Sequence, residues 1–204
     1  SYAPFSHWYL TPLILAALFW LLEQKGRAFP ARLGFCFGLG WFGAGISWVH
    51  VSIADFGGLP LAGSIGLMLL LCAYLALYPA LACWILVKAF QQKYWPLAIP
   101  FIWLLTEWLR SWVLTGFPWL SIGYSQIDSP LAGWMPVIGE TGVSLLLVMF
   151  ACALAWLIPR KNWLIAALLL ITLYGGGYLT GQYQWTTPKN KQVDVVMVQG
   201  NIKQ

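Results

Sequence analysis

The chain has 204 residues, of which 60% are apolar, 17% aromatic and only 8% charged, with a mean hydropathy of +0.74. Soluble domains carry about 25% charged residues, so a water-soluble monomer is excluded: the polar side chains cannot cover the surface of a 22.8 kDa globule. The net charge of +5 does not point to nucleic acid either, because no basic run exceeds the pair Arg160 and Lys161 and no glycine-rich phosphate loop occurs.

Crossing a hydrocarbon core of about 30 Å takes roughly 20 apolar helical residues. Six apolar stretches of that order follow one another, at 8–22, 33–54, 61–87, 97–114, 141–158 and 163–180. The expected fold is an all-α polytopic membrane helix bundle of about six spans over 1–180. After the first stretch come Lys25, Arg27 and Arg32; after the third, Lys88 and Lys93; after the fifth, Arg160 and Lys161. The loops at 55–60 and 115–140 contain no Lys or Arg. The positive-inside rule therefore makes the first set cytoplasmic and puts both ends of the chain outside.

The second stretch holds Gly34, Gly38, Gly40, Gly43 and Gly45. The spacing of Gly34 and Gly38 predicts a close helix contact, read as a crossing inside one chain in preference to a dimer seam. His50 in the same stretch has no carboxylate within a turn and reads as a packing residue rather than a proton carrier. In the fourth stretch Glu107 and Arg110 share a helix face. They predict a structural ion pair with Arg110 snorkelling outward, the alternative being direct contact with an anionic lipid phosphate.

The loop at 115–140 opens with a stretch, 115–136, that has three Pro, three Gly and the aromatics Trp119, Tyr124 and Trp134, too broken for a span and too apolar for a solvated loop. It is expected at the outer interface, either as an anchor or as a surface that guides a lipid or lipidated substrate. Cys36, Cys72, Cys83 and Cys152 lie in apolar stretches without metal-ligand spacing and read as small core residues; no metal or other cofactor is expected.

The end of the chain changes character. Residues 181–192 read as a linker, and the β-branched run from Val193 onward reads as the opening strand of an external soluble domain that starts in 193–204. A first residue other than Met, without a signal-peptide pattern, leads to the expectation of a truncated front. No nucleophile, base and orienting group occur together at compatible depth, so the chain by itself is expected to carry no catalytic residues. A polytopic transporter or lipid-binding membrane module without enzymatic activity is the alternative, but the symmetric broken helices it would favour are not evident.

Four strings sharpen this reading: ISWVHVSIADFGG at 46–58, EWLRSWVLTGFPWL at 107–120, GYSQ at 123–126 and VMVQGNI at 196–202. In this order they closely resemble the apolipoprotein N-acyltransferase family, bacterial inner-membrane enzymes that add the third acyl chain to lipoproteins. The resemblance covers essentially the whole chain and implies seven spans, then a periplasmic nitrilase-like domain and a last span. Six spans with an external front would match loss of the first. The run 193–204 then resembles the first strand and turn of the nitrilase-like domain, with Lys203 where the family usually has Pro.

The resemblance further implies ping-pong acyl transfer in the domain beyond Gln204. There a Cys nucleophile, a Glu base and a Lys that stabilises the oxyanion would pass an acyl chain from phospholipid to the α-amino group of diacylglyceryl-cysteine on an apolipoprotein. It also matches Trp185, just outside the last stretch, to a functionally important Trp, with interfacial anchoring as its other reading. The implied partners are the phospholipid donor, the apolipoprotein acceptor and the membrane, and no nucleic acid. Trp119, Tyr124, Trp185 and Arg110 are the candidates for lipid or substrate contact.

Overall fold

The computed structural model describes residues 6–26, 28–187, 189 and 194–199, and every regular element in them is helical. α1 (Leu10–Leu21) runs into a π turn, and α2 (Pro30–Ile46) and α3 (Val49–Gly57) follow. Next come α4 (Leu61–Ala89), α5 (Trp95–Trp112), α6 (Met135–Leu157), α7 (Trp163–Leu170) and, after a second π turn, α8 (Gly176–Gly181). α2, α5 and α6 each open with Pro in the first turn, where its missing N–H has no intrahelical partner to lose.

These elements overlay the six apolar stretches, but they are not six equivalent spans. Four helical runs are long and apolar enough to cross a membrane: Leu61–Ala89, Gln92–Thr115, Pro130–Leu157 and Trp163–Gly181. A fifth is obtained only if α2 and α3, bent by 56° at their junction, count as one broken span. The helical run Leu10–Gln24 has fewer than 18 residues and falls short of a full crossing at 1.5 Å per residue. Among the described residues four or five runs thus meet the length and hydropathy of a crossing where the sequence led to about six, because hydropathy counts apolar residues and does not see the bend after Ile46.

The core lies where α1, α4, α5 and α6 converge, around Leu15, Phe19, Trp95, Ile99, Val143 and Leu147. A second cluster of Phe42, Ile46, Met68, Cys72 and Leu75 fills the seam between α2 and α4. Gly34 and Gly38 are buried in that seam, and a Cβ on Gly38 would come within 2.7 Å of the Ala76 Cα, so the two backbones touch only because side chains are absent. The glycine spacing thus marks a crossing within the chain. Pro79, inside α4, packs its ring against the same glycine.

Leu70, Phe101, Leu164 and Leu179 are among many large apolar side chains left outward-facing on the bundle, as a hydrocarbon solvent allows and water does not. Cys72, Cys83 and Cys152 are buried, whereas Cys36 is exposed on this outer surface; the reading of all four cysteines as core residues is corrected there. Tertiary packing selects which face of an apolar helix turns inward, and composition alone cannot.

The helix ends that carry Arg32, Lys88, Lys93, Arg160 and Lys161 gather at one end of the bundle, referred to below as the basic end. There Glu23 pairs with Arg160 at 2.7 Å. The tail residues 194–199 form no strand and are exposed; Val193 and 200–204 lie outside the described residues. A lone strand has no ladder partner for its backbone.

Candidate functional site

The end opposite the basic one, referred to below as the outer end after the orientation expected from the sequence, is organised by the segment between α5 and α6. It is not a loop lying flat on the interface. Short 3-10 turns at Ile122–Gln126 and Pro130–Trp134 drive into the bundle, burying Ile122, Gly123, Ser125, Gln126 and Leu131. The interfacial-loop expectation is corrected in this respect. A segment without helical hydrogen bonds survives at membrane depth only when protein groups satisfy its backbone, and the polar residues of the cluster supply those partners.

Arg110 is the first of these partners. Its Nη1 donates to the Phe117 and Trp119 carbonyls at 2.6 and 2.5 Å, and the Phe117 N–H returns a bond to the Arg110 carbonyl at 2.7 Å. The guanidinium sits 5.4 Å from the Phe42 ring centre and 3.7 Å from Glu107 Oε1. With its side chain only 4% exposed, Arg110 turns inward. Outward snorkelling is corrected: two carbonyls and a carboxylate hold the head group better than the interface would.

Glu107 is the second. Its Oε1 accepts the Ile122 N–H at 3.1 Å, and its Oε2 lies 3.4 Å from Ser121 Oγ. Ser121 donates to Glu140 Oε1 at 2.5 Å, Ser144 donates to the same oxygen at 2.9 Å, and the Gly123 N–H donates to Ser144 Oγ at 2.9 Å. α6 bends at Gly139, where φ is 69°, and the next residue presents the carboxylate. Gly123 is required here, because a Cβ would approach within 2.5 Å of the Glu140 carboxylate. Leu114, Thr115 and Leu120, none of them glycine, also take positive φ, a cost that the surrounding bonds hold in place.

Beside this cluster lies a cavity of about 130 Å³ lined by Glu107, Trp108, Ser111, Ser121, Tyr124 and Glu140, with Arg110 at its edge. Mostly apolar, with carboxylate and hydroxyl oxygens on one side, it can take a group that is itself amphipathic. Ser121 and Ser144 both donate to the Glu140 carboxylate, and the Ile122 and Gly123 N–H groups are taken up by Glu107 and Ser144, so the cluster fixes the segment in place. Among the described residues no three of His, Cys, Asp and Glu come together as metal ligands.

The structure brings Arg110 and Tyr124 to this cavity and leaves the other candidates elsewhere. Trp119 is exposed and packs on Trp48 at 5.9 Å between ring centres, tying the segment to the bend after α2. Trp134 is half-buried against the core, and its indole donates to the Leu173 carbonyl at 2.9 Å. Trp185 donates to the Thr180 carbonyl at 3.2 Å and packs on Tyr183 at 4.9 Å. His50 bonds the Ser47 carbonyl through Nδ1.

Glu140, Ser121 and Ser144 escaped the sequence reading as a unit. Their one sequence signal is a carboxylate at the mouth of a long apolar stretch, a position in which charge is costly unless partnered.

Residues 1–153 match the family model described as the apolipoprotein N-acyltransferase N-terminal domain. Over its whole length the chain is 44% identical to an apolipoprotein N-acyltransferase of Vibrio cholerae, 43% to one of Photobacterium profundum and 44% to one of Nitrosomonas europaea. It spans 41%, 40% and 42% of those relatives' lengths respectively. With a polar-lined outer cavity set in an apolar helix bundle and a family match over most of its residues, the chain belongs to the apolipoprotein N-acyltransferase family.

Proposed function

We propose that this chain is the membrane portion of a bacterial inner-membrane N-acyltransferase that moves an acyl chain from phospholipid to the amino terminus of diacylglyceryl-apolipoproteins. The chemistry belongs to a periplasmic nitrilase-like domain following residue 204, through a cysteine thioester with a Glu base and a Lys at the oxyanion. The membrane portion holds that domain at the outer end of the bundle and orients both lipid substrates beneath it, so that their reacting groups meet as neighbours.

The observation that carries this reading is the outer cavity, which sets the Tyr124 and Trp108 rings beside Ser121, Glu107 and Glu140 and so offers apolar and polar contacts together. Trp119 and Tyr124, both exposed at this end, are the side chains placed to touch substrate. Arg110 shapes the site by holding the segment that carries them. Trp185 serves as an anchor for the exit from the last helix.

The test uses a fluorescent diacylglyceryl-peptide with phosphatidylethanolamine and a mobility-shift readout. The 204-residue chain should insert in membranes and leave the peptide unshifted, while the same chain continued in frame by a family soluble domain and last span should shift it. In that active protein Tyr124→Ala should raise KM for phospholipid more than it lowers kcat. A shift by the 204-residue chain alone would overturn the division of labour.

A further inference from the structure

The basic end holds a second cavity, larger than the outer one and unrelated to it. It measures about 510 Å³ and is lined by Glu23, Gln92, Lys93, Pro96, Trp156 and Arg160, so the end of α1, the start of α5 and the end of α6 all contribute. That volume falls within the range of about 300–1,000 Å³ typical of small-ligand sites. Its position, at the helix ends that carry the loop Lys and Arg residues, is headgroup depth.

The charges in it are arranged asymmetrically. Glu23 is nearly enclosed and its carboxylate is held by Arg160 Nη2 at 2.7 Å, while Arg160 Nη1 is fixed on the Trp156 carbonyl at 2.9 Å. Gln92 Nε2 reaches the same carboxylate at 3.5 Å. Glu23 is thus neutralised in place and serves to aim the guanidinium, whose side chain is still half exposed. Lys93 stands opposite with its ammonium 4.8 Å from the Tyr94 ring centre, adding a second cation against one carboxylate. On the adjoining surface of α5, Leu97 and Phe101 are exposed and apolar, a track for acyl chains below the charged cavity.

We propose that this cavity binds the phosphodiester headgroup of an anionic phospholipid in the leaflet at the basic end, with Arg160 and Lys93 on the phosphate and Glu23 holding the guanidinium in place. The proposal stands on this cavity alone and does not depend on acyl transfer. A planar guanidinium fixed by a buried carboxylate is suited to phosphate oxygens, and basic pockets between helix ends recognise such lipids.

The test takes the full chain, delipidated in dodecylmaltoside, and titrates it with phosphatidylglycerol or phosphatidylethanolamine of identical acyl chains, counting bound lipid by native mass spectrometry. Phosphatidylglycerol should be held about fivefold more tightly, the effect of one basic residue near an anionic headgroup. Lys93→Gln should bring it down to the phosphatidylethanolamine level. Lys161→Gln, at a basic residue outside the lining, should leave the preference intact.

Arg160→Gln alone would strand Glu23, so the second variant is Glu23→Gln with Arg160→Gln, which should also lose the preference while keeping its native tryptophan fluorescence. Equal retention of the two lipids, or an undiminished preference in Lys93→Gln, would overturn the proposal. Displacement of phosphatidylglycerol by excess inorganic phosphate would assign the cavity to free phosphate and overturn the lipid reading.

Discussion

Replacing Arg110 with Met leaves an unbranched apolar side chain and removes the guanidinium that, together with Glu107, holds the outer segment to α5. Two carbonyls, those of Phe117 and Trp119, lose donors at 2.6 and 2.5 Å, and the Glu107 carboxylate loses a cation 3.7 Å away. Breaking a buried pair from one side costs about 3–5 kcal/mol, because the remaining charge stays where water cannot reach it. The direct attraction at 3.7 Å sets a ceiling of about 4.5 kcal/mol at an effective dielectric of about 20.

Glu107→Gln keeps an acceptor for the Ile122 N–H and removes the charge. In the double variant neither charge is stranded, and its loss should be smaller than the sum of the two single losses by about 1–3 kcal/mol. The assay is reversible unfolding in mixed dodecyl sulfate and dodecylmaltoside micelles, followed by tryptophan fluorescence. If the single losses add to within about 0.5 kcal/mol of the double, the two residues do not act as a pair and the account of this cluster fails.

Three further outcomes are expected. In the same unfolding assay Gly38→Val should cost about 1–3 kcal/mol, since its Cβ meets the α4 backbone, whereas Gly40→Ala, with open space around it, should be neutral or stabilising by up to about 1 kcal/mol; equal effects would remove the helix crossing as the reason for Gly38. A membrane-impermeant maleimide should label a single Cys placed at exposed Ile127 from the side opposite to one placed at exposed Gln91. Labelling of both from one side would sink the orientation, and Gln126, being fully enclosed, would report nothing. Gln126→Ala removes the donor to the Trp8 carbonyl, so amide exchange at the start of α1 should speed up while that of α4 does not.

The apolar stretches and the spacing of Gly34 and Gly38 could be read directly because both are local. A backbone in lipid has to satisfy itself within one helix, so about twenty apolar residues in a row have few alternatives. Two glycines one turn apart leave the same notch whatever packs into it, and here α4 does. The Lys and Arg positions lead to an expected orientation in the same local way, since each loop carries its own charge, and the maleimide labelling tests it. The family resemblance needed only the strings themselves, and the match over residues 1–153 agrees with it.

The outer site is another matter. Ser121 and Glu140 are 19 residues apart, and Gly123 and Ser144 are 21 apart; they meet across a turn with positive φ at Leu114, Thr115, Gly116 and Leu120, of which only Gly116 is a residue type that marks a turn in the sequence. Arg110 near a helix end predicts snorkelling when the neighbouring segment is taken as solvated. Once that segment folds inward, its carbonyls become the nearest acceptors and the side chain follows them. The bend between α2 and α3 likewise belongs to tertiary structure, since Leu120 of the same segment packs where a Gly45 side chain would have been. Hydropathy fixes which residues leave water, and only the three-dimensional placement of the inserted segment decides which polar groups find one another after they have left it.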